Sequence, residues 1–208
     1  MDMSEKFWDK VAAMYSRRPV SDEVSYKRKI SETQKYFTSD MHILEFGCGT
    51  GTTAIYHAPH VQYIDAIDIS ENMLDIGRFK AKQANVENIN FSKGTLFDFN
   101  FEPESLDAVL GLNIIHLLDD RKGTLEYIAR VIKPGGIFVS STLCLGNSFL
   151  RFVRLFIPIG KVLGLIHDVY ILTESELVKE IQDSGFSIEV QWHHGKDDVS
   201  VFIIARKI

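Results

Sequence analysis

The sequence predicts an α/β protein: a mostly parallel sheet with helices on both faces. Two observations carry that expectation. From Met41 onward, short apolar runs alternate with amphipathic helical stretches, the texture of consecutive βαβ units. The chain then ends in two strand-like runs, 187–192 and 199–206, joined only by residues 193–198. A parallel crossover needs a dozen or more residues, so this last pair must run antiparallel.

The elements follow in order. Up to about Phe37 the chain reads as a helical pair. Phe7, Val11, Met14 and Tyr15 share one face at helical spacing, and Ser21 is placed to cap a second helix. Strands are expected at His42–Phe46, 63–67, 89–91, 106–110 and 137–141. Helices are expected near Thr52–His57, 71–85 and 121–132. A further helix over 173–184 carries its own punctuation: Thr173 and Glu176 match a capping box, and Gly185 stands where a left-handed residue closes a helix. No repeat or linker divides the chain. It is read as one domain over 1–208, with a helical cap (1–40), a core (41–144), an insertion (145–170) and a closing helix and hairpin (171–208).

Composition narrows the function. The 208 residues are 45% hydrophobic, 25% charged and 11% aromatic, which disfavours disorder and low-complexity assemblies. A net charge of -5 argues against a nucleic-acid partner, which calls for a basic surplus. Two cysteines, Cys48 and Cys144, are too few for a disulfide framework, and no spacing suggests a metal site. Residues 1–10 are acidic and lack an apolar centre, so no secretory signal is read and a cytoplasmic protein is expected.

The strongest chemical signal is Glu45-Phe46-Gly47-Cys48-Gly49-Thr50-Gly51, which follows the first core strand and leads into a helix. Such glycines let the backbone turn tightly and approach a ligand closely. The next strand ends at Asp68, about 20 residues on, where a carboxylate can accept hydrogen bonds from ribose hydroxyls. The pattern lacks the third glycine of a dinucleotide site. An acid at position 45 sits awkwardly beside a pyrophosphate but suits a ligand with an ammonium or sulfonium charge.

In these residues, in Asp65-Ala66-Ile67-Asp68-Ile69-Ser70 and in the Lys133-Pro134-Gly135-Gly136 turn, the chain resembles the class I S-adenosylmethionine-dependent methyltransferases of the small-molecule type. It is similar in particular to the ubiquinone/menaquinone-biosynthesis C-methyltransferases. The resemblance covers nearly the whole chain. It implies a Rossmann-like seven-stranded sheet whose last strand is antiparallel, with S-adenosylmethionine as cofactor and S-adenosylhomocysteine as product.

The resemblance also implies residue roles. Gly47, Cys48, Gly49 and Gly51 form the loop under the methionine part, with Glu45 supporting it. Asp68 holds the ribose, Ile69 and Met73 line the adenine, and Asn113 offers its backbone near the methionine amine. Tyr15 closes over the cofactor. Where the family commonly has Gly-Asp, this chain has Gly94-Thr95-Leu96, so Thr95 and Leu96 offer a hydroxyl and a backbone N–H instead of a charge. Cys48 reads as a small packing residue rather than a nucleophile. Met73 and Tyr15 suit core positions as well as cofactor contacts.

Methyl transfer needs a general base only when the acceptor holds a proton at neutral pH. His116 is the candidate, with a positioning role as the alternative; His57, His60, His193 and His194 are read as surface residues. The apolar run 148–167, interrupted by Arg151, Arg154, Pro158, Gly160 and Lys161, is too broken for a spanning helix. It reads as a helical lid, with Phe149, Phe152 and Phe156 against a small, hydrophobic acceptor that receives the methyl on O, N or C. Its basic residues would then allow peripheral membrane contact. A self-packed cap or a homodimer interface is the alternative for this segment. For the whole chain, the alternatives are a non-catalytic protein that binds the cofactor or its product, and a nucleotide-cofactor oxidoreductase.

Overall fold

The computed structural model describes residues 3–147, 170–194 and 199–208. The predicted lid, with Phe149, Phe152 and Phe156, lies outside the described residues. Among those described, no helix is long and apolar enough to cross a membrane.

The chain begins with α1 (Met3–Arg17) and α2 (Glu23–Gln34). There follow β1 (His42–Phe46), α3 (Thr52–His57), β2 (Tyr63–Asp68), α4 (Glu71–Gln83) and β3 (Ile89–Lys93). Next come β4 (Leu106–Leu112), α5 (Arg121–Val131), β5 (Ile132–Leu143), α6 (Glu174–Asp183), β6 (Phe186–His194) and β7 (Ser200–Lys207). The seven strands form one sheet in the order β3-β2-β1-β4-β5-β7-β6. β1 to β5 are mutually parallel where they pair, and β7 runs antiparallel between β5 and β6. The short hairpin connection thus dictates an inserted antiparallel strand. The strand order reverses between β1 and β4, and in open α/β sheets ligands bind beyond the carboxyl ends of the strands at such a switch point.

Alternation along the strands sends side chains into two cores. One face buries Ile43, Ile64, Leu110, Val139, Phe202 and Ile204, with Ala54 of α3 and Leu74 of α4 packed on it. The other buries Leu44, Val109, Phe138 and Ile203 against Leu125 and Ile128 of α5 and Leu177 and Ile181 of α6. α5 and α6 are also tied by a two-pronged ion pair, with Arg121 Nε and Nη2 donating to Glu180 at 3.0 and 2.9 Å. The capping box on α6 is formed: Thr173 Oγ1 accepts from the Glu176 N–H at 3.2 Å, and Glu176 accepts from the Thr173 N–H at 2.7 Å.

Three expectations are corrected. α2 is capped by Asp22, one residue beyond Ser21, because the Asp22 carboxylate accepts the Ser25 N–H at 3.0 Å. On α1 the packed residue is Ala12, whereas Met14 and Tyr15 are exposed. His57 and His194 are buried rather than on the surface. His57 closes α3 with its ring edge-on to Phe37, and neither ring nitrogen has a hydrogen-bond partner. Burial holds its pKa down at about 3.

That histidine makes stability pH-dependent. A base whose folded pKa is depressed stabilises the fold fully above its ordinary value of 6.5, and that stability drains away as the pH falls toward about 3. The slope for one such group is about 1.4 kcal/mol per pH unit. Urea unfolding at pH 7 and pH 5 should therefore show His57→Leu losing less stability on acidification than the parent, by about 1–2 kcal/mol. Equal losses in the two proteins would refute the assignment.

Candidate active site

The site is assembled where β1, β2 and β4 end. The backbone leaving β1 is held by its neighbour strand, the Cys48 N–H donating to the Ile67 carbonyl at 3.0 Å. It then turns through Gly49 at φ +55° and Gly51 at φ +67° into α3. Gly51 is required sterically as well, since a Cβ there would fall 2.6 Å from the Phe91 ring. Gly49 is different, because a Cβ would meet no atom within 4 Å. Bare backbone faces open space there.

Asp68, at the end of β2, fastens this loop. Its Oδ2 accepts the Gly49 N–H at 2.8 Å and its Oδ1 accepts the Ser70 N–H at 2.9 Å. Burial raises its pKa, and the backbone donors of Ser70, Gly49 and Ile69 oppose the rise. Each carboxylate oxygen keeps acceptor capacity for a further donor. Ser70 in turn caps α4, accepting the Met73 N–H at 3.2 Å and donating to Asp9 of α1 at 2.6 Å. Asp9 also accepts the Asn72 N–H at 3.2 Å, and Lys93 pairs with Glu5 at 2.6 Å. The N-terminal helix is thereby docked on the rim. The sequence reading missed Asp9, whose partners Ser70 and Asn72 lie far along the chain.

A cavity of about 310 Å³ opens beside the loop. Gly47, Gly49, Asp68, Ile69 and Met73 line it on one side, Thr95, Leu96 and Asn113 on the other, and Tyr15 stands at its edge. Nine of the predicted residues thus come together. Glu45, Cys48, Gly51 and His116 do not reach the wall. Cys48 turns into the core, where burial and the acids Glu45 and Asp68 push its thiol well above the usual range and keep it protonated. His116 is buried in the turn after β4, where Nδ1 accepts the Leu143 N–H at 3.5 Å and the backbone carbonyl accepts the Tyr170 N–H at 2.8 Å.

Two local arrangements bear on binding. The Thr95 N–H and hydroxyl both donate to Asp98 Oδ2 at 2.7 Å, so the acid missing at position 95 is present one turn later but already engaged. Asn113 adopts φ +58° and gives its N–H to the Ser141 carbonyl at 2.7 Å, which leaves its own carbonyl as the backbone group to meet an ammonium.

Glu45 lies behind the loop. It is buried, its Oε2 has no partner, and burial and Asp68 raise its pKa to about 8. A carboxyl in that state answers to a cation. The open backbone at Gly49, the free acceptor capacity of Asp68 and the orphan Glu45 oxygen fit a ligand carrying both a ribose and positive charge.

Residues 43–136 match the methyltransferase domain family. Those residues carry a methyltransferase domain, and the fold with the relatives supports an S-adenosylmethionine-dependent methyltransferase. A demethylmenaquinone methyltransferase of Listeria welshimeri is 26% identical across 88% of this chain and 86% of its own length. Other curated relatives are matched over 40% to 58% of their length. Two solved structures share the fold. The YcgJ protein of Bacillus subtilis has a TM-score of 0.70 at 17% identity, covering 87% of this chain and 98% of its own. Geranyl diphosphate C-methyltransferase of Streptomyces coelicolor, in complex with Mg2+, geranyl diphosphate and S-adenosylhomocysteine, has a TM-score of 0.73 at 14% identity, covering 89% and 79%.

Two outcomes follow. Gly49→Ala meets no protein atom but forces a left-handed alanine, at about 1 kcal/mol, and places its methyl toward the cavity. Denaturant melts should show that modest loss, while calorimetry shows a far larger loss of S-adenosylhomocysteine affinity. Unchanged affinity would place the ligand elsewhere. At pH 7 the Glu45 carboxyl is protonated, and a nearby cation lowers its pKa. S-adenosylmethionine binding should therefore release protons, seen as a binding enthalpy that varies with buffer ionisation enthalpy in the parent and not in Glu45→Gln.

Proposed function

We propose that this methyltransferase transfers a methyl group to a small, predominantly apolar acceptor. The observation that carries this is the continuity of one cavity. Beyond Asn113 its wall passes from the glycine loop to Leu112, Ile114, Leu117 and Leu118, with Thr124 and the acids Asp119 and Asp120 at the margin. The names of the Listeria and Streptomyces relatives, which point to isoprenoid-bearing acceptors in those proteins, support the same reading.

In this reading Asp68 accepts from the ribose hydroxyls, and the Gly47–Gly49 backbone lies under the methionine portion. Ile69, Met73 and Leu96 enclose the adenine, with Thr95 at its edge and Tyr15 over the opening. Bound S-adenosylmethionine supplies an electrophilic methyl group. The chain's own contribution is alignment and exclusion of water, which supplies much of the rate advantage in a transfer of this kind. Apolar walls desolvate the acceptor, and the buried acids Glu45 and Asp68 favour the cationic cofactor over its neutral-sulfur product. His116 is a positioning residue here: it holds the turn after β4 in register with β5 through the Leu143 contact.

Turnover with a labelled methyl donor over a panel of phenols, quinols, prenyl diphosphates and polar amines tests this. Transfer to the lipophilic members is expected. Transfer confined to polar amines would overturn the acceptor class, and cofactor binding without any transfer would overturn the enzymatic reading.

A further inference from the structure

On the α2 side of the sheet, at the carboxyl ends of β5 and β6, lies a buried polar cluster that the cofactor cavity does not include. Lys29 Nζ is 3.3 Å from Ser141 Oγ and 3.2 Å from His194 Nε2, and Ser141 Oγ is 3.3 Å from the same imidazole nitrogen. Ser141 Oγ also reaches Asn113 Oδ1 at 3.4 Å, and Asn113 lines the cavity. The cluster is thus one side chain away from the space in which an acceptor would sit.

Lys29 is 8% exposed, and among the described residues no carboxylate is hydrogen-bonded to it; Asp22, at the cap of α2, acts on it through its charge. The groups that face it are Ser141 from β5 and His194 from β6, with His193 acting on His194 from the next position. Burial holds Lys29 down at about 8 and His194 at about 4, so the imidazole is neutral and the amine can exchange a proton near neutral pH. Nδ1 of His194 is buried without a partner. An isolated buried cation is unfavourable unless it is paired or sheds its proton. Stability alone does not account for a lysine here.

We propose that Lys29, steadied by Ser141 and His194, is the acceptor-side base of this site and that it takes the proton from an acidic hydroxyl: a phenol, hydroquinone or enol. The acceptor's O–H bond breaks, its electron pair stays on oxygen, and the proton moves to Nζ. The resulting ammonium then holds the oxyanion. That electron pair, on oxygen or delocalised to a neighbouring carbon, is what receives the methyl group. The proposal rests on the methyl-transfer reading of the cavity.

The test uses the full chain saturated with S-adenosylhomocysteine and 4-nitrophenol as probe, following phenolate absorbance across pH 5–9. The parent should bind the phenolate form, lowering the probe's apparent ionisation point by about one unit, a tenfold preference. Lys29→Met should abolish the shift while melting no lower than the parent, since it removes a buried cation that no described carboxylate pairs. Lys29→Arg should retain the shift, and Lys29→Gln should behave like Lys29→Met, which keeps the test decisive should the methionine variant fail to fold. With a phenolic substrate that turns over, the parent's kcat/KM should rise through a limb near pH 8 that Lys29→Met lacks. A shift of the same size in Lys29→Met, or no phenolate preference in the parent, overturns the proposal. Loss of S-adenosylhomocysteine binding in the parent would instead sink the methyl-transfer reading.

Discussion

The site depends on the Asp68 carboxylate. Its two oxygens hold the Gly49 and Ser70 N–H groups, which belong to the loop after β1 and the cap of α4. One side chain therefore sets both the course of the glycine loop and the start of the next helix. Through Ser70 it reaches Asp9 and fixes α1 on the rim. A charge-assisted hydrogen bond from a backbone donor is stronger than a neutral one, and burial makes it stiffer still. The arrangement leaves the loop's glycines free to face the ligand, because the carboxylate holds the turn from behind.

Burying Asp68 beside Glu45 carries an electrostatic consequence. Two carboxyls in a dry region cannot both ionise freely, and the deeper one, Glu45, retains its proton to about pH 8. The Asp68 charge disfavours a pyrophosphate and suits a sulfonium, and Glu45 can add to it by giving up its proton when a cation approaches.

How far this was legible in the chain divides along physical lines. The sheet and its antiparallel strand were readable because period-two alternation and a short connection leave few topologies open. The glycine loop and Asp68 were readable because local spacing fixes them. Other features depend on tertiary partners. Asp22 displaces Ser21 as the cap of α2 because only its carboxylate meets the Ser25 N–H. His194 looked like a loop residue, yet β6 continues to it, and alternation from Trp192 turns it inward. Lys29 gave no sign, since a lysine between Arg28 and Ile30 on an amphipathic helix ordinarily faces solvent. Its burial follows from the way α2 lies over β5.

These parts combine into a polarity that neither half shows alone. Close to the cavity, the buried acids Glu45 and Asp68 lie on the β1–β2 side of Asn113, and Lys29 and His194 lie on the β5–β6 side. A cationic donor and an acceptor bearing an acidic hydroxyl would each find the complementary sign on its own side, and exchanging them would set like charges together in a low dielectric. In-line transfer requires donor and acceptor to meet in one orientation. In the proposed arrangement Asp68 and Lys29 carry the two opposite charges, with Glu45 and His194 as their neutral neighbours, and they would favour that orientation before any close contact forms. Asn113 stands between the two.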